Sequence, residues 1–174
     1  MAAALAAATG LAVVAAGTAD WNVPLLLSLF AFAVASDLWA IDTSANPSDK
    51  HRLLMSGSFL ALVLAMVLLG GAPAALIGVG TIVVGHIRFG ERRDLFLNNL
   101  VAYAWFPLLG GIAFGALRDA VHAGADDPIY YALVAGVFFF ALTLNFLLIA
   151  GYNCYLDGTS LRAKAARALL PVLG

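Results

Sequence analysis

The sequence predicts an all-α fold: a polytopic membrane bundle of about six helices with both termini in the cytoplasm. Three observations carry that expectation. The chain of 174 residues is 63% hydrophobic and only 11% charged, with a mean hydropathy of +0.98, whereas a soluble domain is about 45–50% apolar and about 25% charged. Its apolar residues form runs long enough to cross a bilayer as helices, about 17–25 residues each, with none of the period-two alternation of a membrane barrel strand. Finally, eight of its nine Lys and Arg residues fall in alternate connecting segments, leaving almost no polar surface elsewhere.

Six runs follow in order, at residues 2–19, 23–41, 53–69, 72–89, 95–117 and 129–156. The first is Ala-rich and just long enough, at about 1.5 Å per residue, for a core of about 30 Å. Its small-residue ending, Ala15-Ala-Gly-Thr-Ala-Asp20, has the look of a signal-peptide cleavage site. Signal peptides begin with positive charge, however, and residues 1–19 hold no Lys or Arg, so the run is expected to be a retained helix. Ala4, Ala8, Ala12 and Ala16 recur every fourth residue along it. Such a face suits close helix packing, or alternatively docking of another membrane subunit. Gly70, Gly71 and Pro73 place a tight turn between the third and fourth runs, with proline in a first helical turn, where its missing N–H matters least. Pro107, Gly110 and Gly111 lie inside the fifth run and predict a kink.

Orientation comes from the basic residues, because cytoplasmic loops retain Lys and Arg. Lys50 and Arg52 follow the second run, Arg88, Arg92 and Arg93 cluster at the junction of the fourth and fifth, and Arg162, Lys164 and Arg167 occupy the tail. The alternate segments, 17–22, 70–71 and 118–128, hold only Arg118. The expected location is the inner (cytoplasmic) membrane of a cell, multi-pass. Residues 157–174 form a basic cytoplasmic tail in which Ser160 is placed to cap a helix. Leu161, Ala165, Ala168 and Leu169 then share one face and Arg162 and Arg167 lie off it, which suits a helix resting on anionic lipid; a frayed tail is the alternative. Apolar residues close the chain at Pro171-Val-Leu-Gly174, like the opening of a further hydrophobic segment of a longer polypeptide.

Polar side chains within spans are expensive, and they mark functional or packing sites. Here they are Asp37, His86, Asn98, Asn99 and Asn145. Asp37, His86 and the two adjacent asparagines fall toward the cytoplasmic ends of their helices, and so at one depth. A carboxylate beside His86 would favour its charged form, making the pair a proton sensor, with a hydrogen-bonded clamp between helices as the alternative. Asn145 is expected to be the deepest of the amides, in a Phe-rich surround with Thr143 nearby, and calls for an interhelical partner, with a role in holding a ligand as the alternative. On the outer face, Asp119, His122, Asp126 and Asp127 have the ligand types for a divalent cation. Their spacing matches no calcium loop or zinc motif, and solvated loop charge is the simpler expectation.

Several function classes are excluded or unsupported. A net charge of −1 supplies no basic field for nucleic acid. The single cysteine, Cys154, allows no internal disulfide, and no Cys/His spacing suggests zinc. There is no GxSxG, HExxH, P-loop or GxGxxG signature. Ser48, Asp49 and His51 are close in sequence but have no third orienting partner. The chain is expected to be a non-enzyme without cofactor or bound metal. Its expected partners are the bilayer and another membrane protein or a second copy of itself; no ligand is specified.

One family resemblance rests on Ser56-Gly-Ser-Phe59, Leu68-Leu-Gly-Gly-Ala-Pro-Ala-Ala75, the basic residues Arg88 to Arg93, Leu95-Phe-Leu-Asn-Asn99, and Asn145 followed by Asp157-Gly-Thr-Ser160. Over residues 53–165 the chain resembles the N-terminal membrane sensory regions of bacterial HD-GYP and GGDEF signalling proteins. The resemblance implies an input module coupled to a cytoplasmic domain that makes or degrades cyclic di-GMP. The sequence has neither an HD dipeptide nor a GGDEF-like run, so what is implied is sensing without catalysis. The six helices and the alanine face also look like the substrate-binding membrane subunits of energy-coupling-factor vitamin transporters. The short outer loops offer little to close over a vitamin. A structural subunit of a membrane complex is a third alternative.

Overall fold

The computed structural model describes residues 1–17, 19–39, 41–42, 54–55, 57–90, 92–158 and 160–162. They form six helices: α1 (Ala2–Ala16), α2 (Val23–Leu38), α3 (Ser58–Leu68), α4 (Gly71–Phe89), α5 (Arg93–Val121) and α6 (Pro128–Asp157). Between α2 and α3, β1 (Ile41–Asp42) and β2 (Leu54–Met55) pair antiparallel, with Ile41 opposite Met55 and Asp42 opposite Leu54. Lys50, Arg52 and the Ser48, Asp49 and His51 group lie outside the described residues, as does the tail beyond Arg162.

Three helices, α4, α5 and α6, are long and apolar enough to cross a membrane. The other three depart from the expected full-length spans. With 15, 16 and 11 residues, α1, α2 and α3 reach only about 22, 24 and 16 Å at about 1.5 Å per residue. The runs 23–41 and 53–69 are each trimmed where the chain leaves the helix for the β1–β2 ladder. Continuous hydropathy cannot foresee this, because a buried strand and a buried helix read alike over a few residues.

The ends of the helices follow from local chemistry. Asn22 caps α2 by accepting from the Leu25 N–H at 3.1 Å, with Pro24 in the first turn. Gly90 and Gly158 end α4 and α6 in the left-handed region, at φ 65° and 64°, where a missing Cβ removes the steric penalty. His122 ends α5 in the same conformation at φ 53°, and the Ala123 N–H returns to the Arg118 carbonyl at 3.1 Å.

Packing is set by close backbone approach on α4 and α5, the device expected of a membrane bundle. A methyl group at Gly111 would overlap the backbone of Gly71, and one at Gly71 would overlap the Leu108 carbonyl. Pro107 leaves the Tyr103 carbonyl, four residues earlier, without its usual helical donor. The backbone of Gly78 packs directly against that carbonyl, so a Cβ there would meet the oxygen at 2.5 Å. Contact with α4 accommodates the proline, and α5 runs as one element of 29 residues through Pro107, Gly110 and Gly111.

Phe59, at the start of α3, stacks on Phe106 of α5 with centroids 5.7 Å apart and meets Phe138 of α6 edge-on at 5.5 Å. Helix α3 therefore begins level with the middle of α5. Trp105 donates from Nε1 to the Ala4 carbonyl of α1 at 3.0 Å, so α1 also begins near mid-height. The two short helices cover the half of the bundle toward the acidic turns, and α4, α5 and α6 continue alone with α2 toward the arginines. On α1, Ala8 is buried, and Ala12 packs with it against Ala75, Ala104 and Leu108. The alanine face is used inside the chain.

Candidate functional site

One end of the bundle, here the acidic end, carries Asp20, Asp119, Asp126 and Asp127; the other, here the basic end, carries Arg88, Arg92 and Arg93 together with Asp37, Asp94 and Asp157. At the acidic end, α5 projects past the start of α4, and a cleft of about 440 Å³ opens between α1, the α3–α4 turn and α5. Small residues make this space: Gly70, Gly71, Gly111 and Gly115 line it along with Leu11, Ala15, Met66 and Phe114. A Cβ at Gly115 would meet nothing within 4 Å. Asp20, Arg118 and Asp119 also line the cleft. Arg118 pairs with Asp119 through Nε at 3.0 Å and Nη2 at 2.8 Å. The Asp20 backbone N–H donates to the Leu69 carbonyl at 2.9 Å, which ties the α1–α2 turn to the end of α3. Trp21 strengthens the same turn, its Nε1 donating to the Ala16 carbonyl at 3.0 Å. Among the described residues the Asp20 carboxylate makes no hydrogen bond or ion pair.

At the basic end lie the polar side chains of the spans. The His86 imidazole stacks on Phe96 with centroids 4.0 Å apart, and its buried Nδ1 has no hydrogen-bond partner among the described residues. Asn98 is buried, at 8% exposure. The contacts of Phe59 put Phe106 and Phe138 at one level, and Phe114 meets Tyr130 edge-on at 5.5 Å. Equal steps down the antiparallel α5 and α6 from either pair bring Asn98 level with Phe146. Asn145 therefore lies at the height of Asn98 and Asn99, lower in the bundle than its Phe-rich surround suggests. On α2, Phe30 packs against Gly80, but Ser36, the residue before Asp37, lies against Gly57 at the start of α3, which sets Asp37 apart from the others. Four polar groups on three helices, His86, Asn98, Asn99 and Asn145, share one layer below the start of α3.

Asn145 lacks the interhelical partner expected of it: Oδ1 is buried with none among the described residues. Thr143 does not supply one, because its hydroxyl donates to the Phe139 carbonyl at 2.8 Å. Thr81 similarly bonds within its own helix, to the Ile77 carbonyl at 2.8 Å. Such bonds satisfy a hydroxyl in apolar surroundings without joining helices. An unpartnered amide oxygen and imidazole nitrogen in one layer are costly groups in a dry interior.

The candidate cation residues Asp119, His122, Asp126 and Asp127 are all exposed. Asp119 is engaged by Arg118, His122 ends α5, and Asp127 precedes α6 as its N-cap residue. Among the described residues no group of three His, Cys, Asp or Glu side chains is arranged to hold a metal ion. The sequence reading passed over Asp20. Its signal was faint: one carboxylate between two apolar runs, in a turn whose Trp21 and Asn22 both have structural tasks.

No family model, curated protein or solved structure matches the chain.

Proposed function

We propose that the chain is a non-catalytic sensory input module of a bacterial inner membrane, in which α2, α4, α5 and α6 run the depth of the bundle, α1 and α3 cover its outer half, and the basic end lies in the cytoplasm. The acidic-end cleft faces outward and receives the stimulus. The polar layer faces the cytoplasm and passes the response to a signalling domain there. One observation carries this reading: α5 lines the cleft with Gly111, Ile112, Phe114 and Gly115 and also carries Asn98 and Asn99 in the polar layer, as one unbroken helix. A displacement at one end of such a helix moves the other, and the glycine contacts oblige α4 to move with it. The segregation of Arg88, Arg92 and Arg93 from the acidic turns supports this orientation. The vitamin-transporter alternative is weakened because the alanine face that would dock a membrane partner packs against α4 and α5.

The reading is tested by wedging the cleft. Gly115→Trp fills open space, and spin labels at Trp39→Cys and Ile87→Cys, 81% and 78% exposed at the basic end, report on α2 and α4 in a Cys154→Ala background. The wedge should change the inter-label distance by about 1–2 Å, the scale of helix shifts in switching proteins. Superimposable distance distributions with and without the wedge would contradict a sensory coupling.

A further inference from the structure

We propose that the acidic-end cleft binds a compact organic cation, an ammonium group on an apolar body. This rests on the cleft's being the receiving end of the module and names the chemistry it receives. A volume of about 440 Å³ lies within the roughly 300–1,000 Å³ of small-molecule sites. Leu11, Met66, Leu69, Ile112 and Phe114 supply apolar wall, and the glycines between them let a ligand lie against backbone.

The charges decide the sign of the ligand. Arg118, the one cation lining the cleft among the described residues, is held by Asp119 through two nitrogens of its guanidinium, so the two groups neutralise each other. Asp20 remains, unpaired among the described residues and held in place by its backbone bond to Leu69. The nearby turn between α5 and α6 adds Asp126 and Asp127 with no Lys or Arg, and such a one-signed field beside low-dielectric walls concentrates cations. An anionic ligand would meet a free carboxylate and an arginine already engaged. An ammonium meets the exposed Asp20 carboxylate, which has no partner among the described residues, with a charge-assisted bond to form.

The test uses three probes with similar apolar bodies, phenethylamine, phenethyl alcohol and hydrocinnamate, titrated into the chain in phosphatidylglycerol nanodiscs. Only phenethylamine should bind. Asp20→Asn should weaken it about tenfold or more, whereas Arg118→Ala, which frees Asp119, should tighten it. Equal binding of amine and alcohol, or an amine affinity indifferent to both substitutions, would overturn the proposal; Arg118→Ala keeps the test open should Asp20→Asn fail to fold. Adding phosphatidylethanolamine separates two sources of the ammonium. Competition assigns the site to a lipid headgroup, and unchanged affinity assigns it to a free amine. Amine binding in a chain whose basic end ignores the Gly115→Trp wedge would keep this site and remove the sensory reading. Wedge movement without amine binding would do the reverse.

Discussion

Replacing Gly111 with leucine should force α4 and α5 apart and destabilise the bundle by about 3 kcal/mol or more, at or above the usual range for overpacking a tight interior. The obstacle at this site is the backbone of Gly70 and Gly71, which has no rotamer to change. The loss extends beyond one contact, because Gly71, Gly78 and Gly111 all lie on the same α4–α5 seam and Gly110 admits the Met66 sulfur from α3. Gly136→Leu is the matched control. Its Cβ would point into open space on α6, and the change should stay within about 1 kcal/mol of the parent chain. Unfolding of both variants in mixed micelles of rising SDS content gives the comparison; equal midpoints would mean that α4 and α5 are not seated as described.

The second large effect is expected at Phe106. It is fully buried where α3, α5 and α6 meet, stacked on Phe59 and edge-on to Tyr103 at 5.2 Å. Phe106→Ala should cost about 3 kcal/mol, the low end of the range for such truncations. The cavity remains, but the transfer part shrinks because lipid tails already solvate a ring in the unfolded reference state. Phe139, 63% exposed on α6, has no cavity to leave, so Phe139→Ala should change stability by about 0.5 kcal/mol or less. Similar losses at both positions in the same assay would show that the centre of the bundle is not the Phe59–Phe106–Phe138 junction.

The helical class, the six helical segments and the separation of charge were legible in the sequence, because hydropathy and Lys/Arg placement report directly on the solvent around each segment. Helix α6 was read to within a residue or two at each end, since Pro128 and Gly158 punctuate it. Helices α1 and α3 were not, because an apolar run does not say whether it crosses a bundle or covers half of it. The glycines show a subtler limit. Gly110 and Gly111 were read with Pro107 as a kink and Gly70 and Gly71 as a turn; the turn is there, but three of the four also make room for neighbouring helices. A bend, a turn and a contact all ask for the same missing Cβ, and only the neighbour distinguishes them. For the same reason the polar layer was partly legible. His86 and the two asparagines could be placed by depth, whereas Asn145 could not be levelled with them until the aromatic contacts fixed the register of α6 on α5. The cleft was invisible, being defined by where α4 stops short of α5.

The orientation, with the cleft outside and the polar layer inside, is tested most directly by labelling single cysteines in intact cells with a membrane-impermeant maleimide, in the Cys154→Ala background. Trp21→Cys and Ala125→Cys at the acidic end should label at once. Trp39→Cys, Arg92→Cys and Tyr155→Cys at the basic end should label only after the membrane is opened. Labelling of Trp39→Cys in intact cells, or protection of Trp21→Cys beside a labelled Ala125→Cys, would remove α2 as a crossing and contradict the arrangement on which the sensory reading depends.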